Sequence, residues 1–342
     1  CYHWPQEALS DGSGILIYLY QENIPAIPTA GWAYVPWDDG VEGVSRVEEP
    51  GPARPRSRRM VVRELDVARV TEAVAELAIA ACSDLGDDLV AFFEEAVDRE
   101  ESETGRDIFV QLLENANLAR EARRPLCQDT GLAVVFLEVG QDVHLVGGAL
   151  EAAVDEGVRR GYTEGYLRKS VVADPLGVRT NTGDNTPAML HTRIVPGDKV
   201  RIIVVPKGGG AENMSAIGML KPSQGRQGAV DFIVETVSKA GADPCPPIIV
   251  GVGLGGTFEK AAYLAKHSLL REVGSINPDP RLAELEDEIE RRCNALGIGP
   301  AGLGGTVTVI DVFVEELPAH IASMPVAVNI QCHSARHKEV VL

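Results

Sequence analysis

The hydrophobic pattern of this chain changes abruptly at one octapeptide, residues 124–131. The segment before it, residues 107–123, is rich in charged side chains and has helical periodicity, and Pro125 limits any extension of that helix. The segment after it, residues 132–139, is a mainly apolar run, which is typical of a buried strand. The octapeptide is therefore predicted to be a tight turn between a helix and a strand, in a fold where helices pack on sheets.

Four consecutive side chains of this turn carry reactive or polar groups. Cys127, Gln128, Asp129 and Thr130 supply a thiol, an amide, a carboxylate and a hydroxyl. Loops on rigid scaffolds carry functional side chains disproportionately often, so the turn is a candidate site. The alternative is that Cys127 is a small buried residue and Asp129 a turn former.

Length and composition limit the class of protein. The 342 residues allow two or three domains, and 45% hydrophobic with 24% charged residues is typical of a soluble globular chain of mixed composition. The formal net charge of -18 disfavours nucleic acid or an anionic membrane as a partner. No apolar run is long enough to span a bilayer. Six widely spaced cysteines lack the density of a secreted disulfide scaffold, which favours a cytoplasmic location.

Residues 1–59 differ in composition from the remainder. All three tryptophans precede Met60 and all seven phenylalanines follow it, and the chain opens on Cys1. Residues 51–59 have the composition of an unstructured basic linker. We expect residues 1–59 to be a non-native or disordered leader, translated from upstream sequence, with a genuine extension as the alternative. The body of the protein is then residues 60–342.

Periodicity divides this body into a helical part, residues 60–123, and an α/β part, residues 124–342. Two β-rich runs, residues 188–195 and 200–205, are joined by Pro-Gly-Asp-Lys, which predicts a hairpin. Strands and helices alternate without a single βαβ period, so the predicted fold class is α/β with mixed sheets, of α+β type. The further helices are expected at about 67–81, 86–101, 104–122, 149–160, 227–240, 258–271 and 281–295, and the further strands at 248–252, 306–314 and 326–330.

Three of the six cysteines share a local context. Cys127, Cys245 and Cys332 each lie in a turn at the edge of a predicted strand, whereas Cys82 and Cys293 fall on apolar helix faces and are interpreted as packing residues. No CxxC pair is present, which argues against a structural zinc site. Three thiolates on separate loops fit an iron–sulfur cluster with three protein ligands, which would leave one iron open as a Lewis acid.

Two glycine-rich segments have functional interpretations. Residues 251–256 match the GxGxxG dinucleotide fingerprint, with Glu272 about 20 residues on, but a second βαβ unit is missing. We interpret these glycines as a close-packing segment and keep a nicotinamide-dependent oxidoreductase as a remote alternative. Residues 207–210, Lys-Gly-Gly-Gly, expose successive backbone N–H groups that suit a carboxylate or phosphate oxygen, with an ordinary flexible turn as the alternative.

Seven motifs follow one another along the chain. In order, they are Cys127-Gln-Asp-Thr-Gly131, Leu167-Arg-Lys-Ser170, Asn181-Thr-Gly-Asp-Asn185, Lys207-Gly-Gly-Gly-Ala-Glu-Asn213, Cys245-Pro-Pro247, Gly251 to Gly256 and Gln331-Cys-His-Ser-Ala-Arg336. Together they resemble the amino-terminal region of class I, iron–sulfur fumarate hydratases. The chain is similar in particular to the separate alpha subunit of the two-subunit enzymes, from about Val61 to the carboxyl terminus.

The resemblance implies a cofactor and a set of site residues. Cys127, Cys245 and Cys332 match the three ligands of a 4Fe-4S cluster. The substrate, a small dicarboxylate, is implied to meet five further positions. Gln128 and Asp129 match residues at the substrate, Arg168 an arginine that holds a carboxylate, Gly210 an amide donor, and His320 a side chain beside the bound diacid.

The resemblance also implies a partner. In single-chain relatives a second domain supplies further arginines, a lysine and a threonine, so we expect a hetero-oligomer with a fumarase beta subunit and no activity from this chain alone. The competing family member is the alpha subunit of L-tartrate dehydratase, which is similar at residues 127–131 and 245–247. Residues 207–213 and 332–336 look more like the fumarase form and favour hydration of fumarate to (S)-malate. A non-catalytic scaffold for the beta chain is a third interpretation.

Overall fold

Apolar runs and amphipathic segments alternate along the body of the chain and form two mixed four-stranded sheets with helices packed against them. The computed structural model describes residues 62–342, so the expected leader, residues 1–59, lies outside the described part. The helices are α1 (Val67–Ser83), α2 (Asp87–Arg99), α3 (Glu103–Ala122), α4 (Leu150–Glu164), α5 (Gly209–Asn213), α6 (Gly225–Ala240), α7 (Phe258–Ser268) and α8 (Pro280–Asn294). The strands are β1 (Arg63–Asp66), β2 (Leu132–Gly140), β3 (Val143–Val146), β4 (Met189–Val195), β5 (Val200–Lys207), β6 (Ala216–Leu220), β7 (Ile248–Gly255), β8 (Val309–Leu317), β9 (Met324–Gln331) and β10 (Lys338–Val341).

The first sheet has the strand order β10-β5-β2-β4. Strand β2 pairs in parallel with β4 on one side and antiparallel with β5 on the other. The predicted hairpin between residues 188–195 and 200–205 is therefore wrong, because β2 lies between those two strands. The turn at residues 196–199 does reverse the chain. It places β5 on the far side of β2 rather than next to β4.

The second sheet has the strand order β6-β9-β7-β8. Only β7 and β8 are parallel, and β9 runs antiparallel to β7. Helix α7 packs tightly on β7, since a Cβ on Gly251 or Gly253 would lie 2.1 or 2.0 Å from the carbonyl oxygen of Ala265 or Ala261. These glycines therefore serve close helix–strand packing, as interpreted from the sequence, and the mixed sheet gives no support to the dinucleotide alternative.

The three helices expected before residue 123 are present, preceded by the short strand β1. Asp66 caps the N-terminus of helix α1, since its side chain accepts the Ala68 N–H, and the apolar face of α1 joins α4, β2 and β5 in one hydrophobic core. Helices α2 and α3 pack against the second sheet. The predicted α/β class is confirmed. No helix of residues 62–342 is both long and apolar enough to cross a membrane.

The two sheets bring their edges together at one place. At one edge of the first sheet, β2 begins and β5 ends, with Leu132 opposite Lys207. At one edge of the second sheet, β7 begins and β9 ends, with Ile249 opposite Gln331. The Lys207 ammonium donates to the carbonyl of Ile330 at 2.7 Å, so these two ends lie side by side, and the candidate residues in the turns before β2 and β7 and after β5 and β9 face a shared region.

Candidate active site

The turn before β2 is held by hydrogen bonds to two helices, α1 and α3. Arg123 caps the C-terminus of α3, and its left-handed backbone (φ 49°) turns the chain away from the helix axis. The Leu126 N–H then donates to the carbonyl of Cys82 at 2.8 Å, and the Leu126 carbonyl accepts from the side chain of Asn115 at 2.9 Å. These two bonds fix the residue just before Cys127.

Cys127 and Gln128 occupy the accessible side of this turn. The Cys127 sulfur accepts the backbone N–H of Asp129 at 3.3 Å and lies 3.3 Å from the amide oxygen of Gln128. Cys127 is half-buried and Gln128 is exposed. A sulfur that is accessible and already receives an N–H is suited to a ligand role, because hydrogen bonds to sulfur help to set the properties of a cluster ligand.

Asp129 connects three parts of the chain through its carboxylate. One oxygen accepts the Gly131 N–H at 3.0 Å and the Arg168 guanidinium at 3.1 Å, and the other accepts the Gly209 N–H at 2.9 Å. Arg168 is half-exposed, so it keeps access to solvent. The carboxylate therefore orients an arginine and the start of the glycine segment after β5.

The polar segment after Arg168 is tied to the same turn. Asn185 is fully buried, and its side chain donates to the Gly131 carbonyl at 3.2 Å and accepts the Ser170 N–H at 2.6 Å. The Thr130 hydroxyl donates to the Arg168 carbonyl at 3.0 Å. Arg168 is thus positioned from its backbone as well as from its side chain.

Cys245 and Cys332 lie in neighbouring turns at the edge of the second sheet. Cys245 has a left-handed backbone (φ 55°), and its carbonyl lies 3.0 Å from Nδ1 of His333. That contact is a hydrogen bond when Nδ1 carries the proton. The Cys332 sulfur lies 3.2 Å from the hydroxyl of buried Ser334. The residue after Cys332 therefore contacts Cys245 directly.

Burial and neighbouring charge both act on the thiol of Cys245. Partial burial, followed by negative charge on Cys332, Cys127 and Asp129, raises the pKa of the Cys245 thiol. By contrast, Cys293 is completely buried in α8, and burial raises the pKa of its thiol to about 12, as expected for a packing residue.

The chemistry of the three thiols is that of iron–sulfur cluster ligands, since such clusters are held by cysteine thiolates. Within residues 62–342, no group of three His, Cys, Asp or Glu side chains could hold a metal ion. Buried Arg336 adds a positive charge nearby, and its Nη1 atom has no hydrogen-bond partner in the described chain. An anionic group of thiolates and sulfides would suit this unsatisfied donor.

Two buried cations at the site were missed by the sequence reasoning. Arg336 donates to the carbonyl of Asp129 and, at 3.3 Å, to that of Pro206, and so joins the Cys332 turn to the Cys127 turn. Lys207 is 1% exposed, and burial lowers its pKa to about 8 despite the opposing charge of Glu212. Both residues lie within the motifs quoted above, and this location was the signal in the sequence that could have identified them.

The two remaining predicted residues differ in location. Gly210 is exposed in the first turn of α5, where an N–H has no intrahelical acceptor, and it lies beside Asp129-bound Gly209. His320 is exposed in the loop after β8, whereas Cys245 precedes the parallel strand β7. The structure does not bring His320 to the other residues, since an eight-residue strand separates the two edges by roughly 25 Å.

Comparisons with known proteins found a matching family model and similar sequences. The family model for fumarate hydratase (Fumerase) matches residues 71–341. A putative L(+)-tartrate dehydratase subunit alpha from Methanocaldococcus jannaschii is 42% identical over 274 residues, which cover 78% of this chain and 95% of the relative. The L(+)-tartrate dehydratase subunit alpha from Escherichia coli strain K12 is 34% identical over 272 residues, which cover 79% of this chain and 89% of the relative.

Proposed function

This chain belongs to the fumarate hydratase (Fumerase) family of hydro-lyases, and from that membership we propose that it is the alpha subunit of an iron–sulfur enzyme that reversibly hydrates fumarate to (S)-malate. The proposed cofactor is a 4Fe-4S cluster held by Cys127, Cys245 and Cys332. The observation that carries the proposal is the contact between these distant turns. His333, next to Cys332, contacts the carbonyl of Cys245, and Arg336 donates to the carbonyl of Asp129, two residues after Cys127. Asp129 in turn holds Arg168.

Hydration and dehydration of a small diacid pose two chemical problems. The hydroxyl is a poor leaving group, and the proton on the adjacent carbon is weakly acidic, so a Lewis acid and a base are both needed. When bound, a cluster with one iron free of cysteine would supply the Lewis acid. The residues of this chain have the tasks of binding and orienting the diacid.

Arg168 is the proposed carboxylate-binding residue. Its guanidinium is anchored by Asp129 at 3.1 Å and is 54% exposed, which leaves donors for a second carboxylate. The Gly210 N–H, in the same glycine segment that Asp129 holds through Gly209, is the proposed second donor. Together they would stabilise negative charge that builds up on the substrate carboxylate during proton removal.

Asp129 and Gln128 are the proposed catalytic side chains nearest to a cluster ligand. Both Asp129 oxygens already accept hydrogen bonds, from two backbone N–H groups and an arginine. This bonding supports a role in orienting Arg168 and in tuning a base, more than direct proton removal. Gln128 is exposed beside Cys127 and is free to contact the substrate. His320 would need to act from outside this group of residues.

The substrate has a second candidate. The relatives with 42% and 34% identity are named L(+)-tartrate dehydratase subunit alpha, which favours L(+)-tartrate as the alternative. The form of residues 207–213 and 332–336 supports fumarate. Both reactions involve water and a four-carbon dicarboxylate, so the residues described above serve either one.

A separate beta subunit is the proposed partner. The relatives carry the name subunit alpha, which supports a heteromeric enzyme. The cluster-side residues of this chain supply few groups for proton transfer, and a partner that contributes further side chains would complete the site. The chain alone is then expected to bind iron without appreciable turnover.

The test uses residues 60–342, purified without oxygen, with matched cysteine variants. Wild-type chain and Cys293→Ala are expected to hold about four iron atoms per chain, whereas Cys245→Ala is expected to hold far less. Each sample is then combined with the beta subunit and assayed with fumarate and with L(+)-tartrate.

Each outcome has a defined meaning. Equal iron content in wild-type and Cys245→Ala would refute the ligand assignment, and equal activity of their complexes would support the scaffold interpretation. Full turnover by the chain alone would refute the need for a partner. A higher kcat/KM with tartrate than with fumarate would replace the proposed substrate by the second candidate.

A further inference from the structure

A buried lysine joins the two sheets beneath the candidate site. Lys207 is the last residue of β5, and only 1% of its side chain is exposed. Its ammonium donates to the carbonyl of Ile330 at 2.7 Å, two residues before Cys332, and lies 3.1 Å from a carboxylate oxygen of Glu212. One group therefore contacts both β9, which leads to Cys332, and α5, which contains Gly209 and Gly210.

Glu212 extends this contact into a network. Its other carboxylate oxygen accepts a hydrogen bond from Lys266 of α7 at 2.6 Å, and the side chain of Asn329 donates at 3.1 Å to the oxygen that faces Lys207. Burial acts to raise the pKa of Glu212, but the charges of Lys207 and Lys266 outweigh it and lower that pKa to about 2. The Ile330 N–H is held by Ser215 at 3.1 Å. The carbonyl and the N–H of Ile330, near the end of β9, are thus both hydrogen-bonded to side chains within residues 207–215.

The energetics of such a network indicate that it fixes the geometry of the site more than it stabilises the fold. Removing an ammonium from water is costly, and replacing a buried ion pair by apolar side chains of similar volume is often neutral for folding. A methionine would fill the volume of Lys207 without that cost. A methionine would not contact Ile330 and Glu212 through an ammonium at the same time. Those two contacts set the distance between β9 and α5.

We propose that Lys207 is a positioning residue of the hydro-lyase site, whose ammonium holds the Cys332 turn and the glycines at 208–210 in a fixed relation. The inference rests on the proposed function, in which Cys332 lies on the cluster side of the substrate and Gly210 on the carboxylate side. A substrate bound between them is oriented correctly only while that spacing is kept, because a displacement of about 1 Å costs on the order of 100-fold in rate.

The experiment compares Lys207→Met with Lys266→Met in the iron-loaded complex with the beta subunit. Both variants remove one ammonium from Glu212, but only the first removes the bond to Ile330. For Lys207→Met we expect iron content close to wild-type, a KM for fumarate at least about tenfold higher and a lower kcat, whereas Lys266→Met is expected to keep KM within about twofold. If Lys207→Met does not fold, Lys207→Gln replaces it, with the same direction of change.

A second readout is independent of the cluster. Amide hydrogen exchange on the iron-free chain is expected to become faster in residues 208–213 and 332–336 together for Lys207→Met, and at most in 208–213 for Lys266→Met. If the wild-type complex binds no iron or turns over no diacid, the proposed function fails and this exchange pattern alone decides whether Lys207 joins the two segments.

Three results would overturn the inference. An unchanged KM with activity lost only in proportion to folded protein would assign Lys207 a merely structural role. An equal rise in KM for both lysine variants would place the effect on the charge of Glu212. Unchanged exchange in both segments would show that the lysine does not hold them.

Discussion

Replacement of Gly131 by alanine tests the close approach on which the candidate site is built. Gly131 has φ +66°, and a Cβ at this position would lie 2.4 Å from the carbonyl carbon and oxygen of Lys207. Ordinary contact begins at 3.4 Å, so the start of β2 and the end of β5 must separate by about 1 Å. A left-handed alanine costs about 1–2 kcal/mol, and overpacking adds about 1–3 kcal/mol. We therefore expect Gly131→Ala to lose roughly 2–5 kcal/mol of unfolding free energy.

The same shift would displace the groups that Gly131 positions. Its N–H is bonded to Asp129 and its carbonyl to Asn185, so the turn with Cys127 would move with it. An activity loss on the order of 100-fold in the loaded complex is expected from a displacement of about 1 Å. Urea denaturation of the iron-free chain measures the stability, and malate formation with the beta subunit measures the activity.

Gly183 is the matched control for this prediction. It also has a left-handed backbone, φ +82°, and it lies in the polar segment near the site, but nothing is within 4 Å of a Cβ built there. Gly183→Ala is expected to lose only about 1–2 kcal/mol, the backbone contribution alone. If both variants lost the same stability, the proximity of the two backbones at Gly131 would not be the cause.

Two further predictions concern stability. Burial raises the pKa of Glu290 from 4.5 to about 7, so the folded state holds a proton that the unfolded state releases, and stability falls as pH rises through that window. Glu290→Gln is expected to gain roughly 2–3 kcal/mol of unfolding free energy over wild-type at pH 8 and nothing at pH 4, measured by urea denaturation. Exposed Glu284→Gln is the control, and an equal gain at both pH values would contradict the assignment. Tyr162→Phe removes a buried hydroxyl that donates to the Thr130 carbonyl at 2.8 Å, and it should cost about 1–3 kcal/mol of unfolding free energy by the same measurement. Exposed Tyr166→Phe should change little, and similar losses for both variants would argue against the hydrogen bond.

Periodicity predicted most helices and buried strands because those patterns are local. The apolar run at 132–139 became β2, and the amphipathic segments became helices with small changes at their ends. Strand neighbours were not predictable in the same way. The turn after β4 indicated a reversal of the chain, but whether β5 would lie beside β4 depended on β2, which pairs with both.

The candidate site shows the same division. The turn residues Cys127 and Asp129 were recognisable because a thiol and a carboxylate stood in a predicted loop. The link from Asp129 to Arg168, 39 residues away, is a tertiary contact. His320 was assigned with them from the family resemblance, but it follows β8 and therefore lies at the opposite end of the second sheet, because β8 runs parallel to β7.

The burial of Lys207 was not visible in the sequence at all. Lysine is almost never fully buried, so a motif of lysine and three glycines indicated an exposed anion-binding loop. In the structure only the glycines at 209 and 210 are exposed, while the lysine points inward to Ile330. Likewise, Arg336 showed no role until its bonds to Asp129 and Pro206 were known.

Local patterns in the sequence determined the α/β class, the turn that carries Cys127, and the types of side chain available for chemistry, because helix and strand periodicity and turn residues act over a few positions. Tertiary structure alone decided the strand order, the meeting of the Cys127, Cys245 and Cys332 turns, and the buried cations that join them. These depend on which edges of two sheets face each other, and that is a property of contacts between residues more than 100 positions apart.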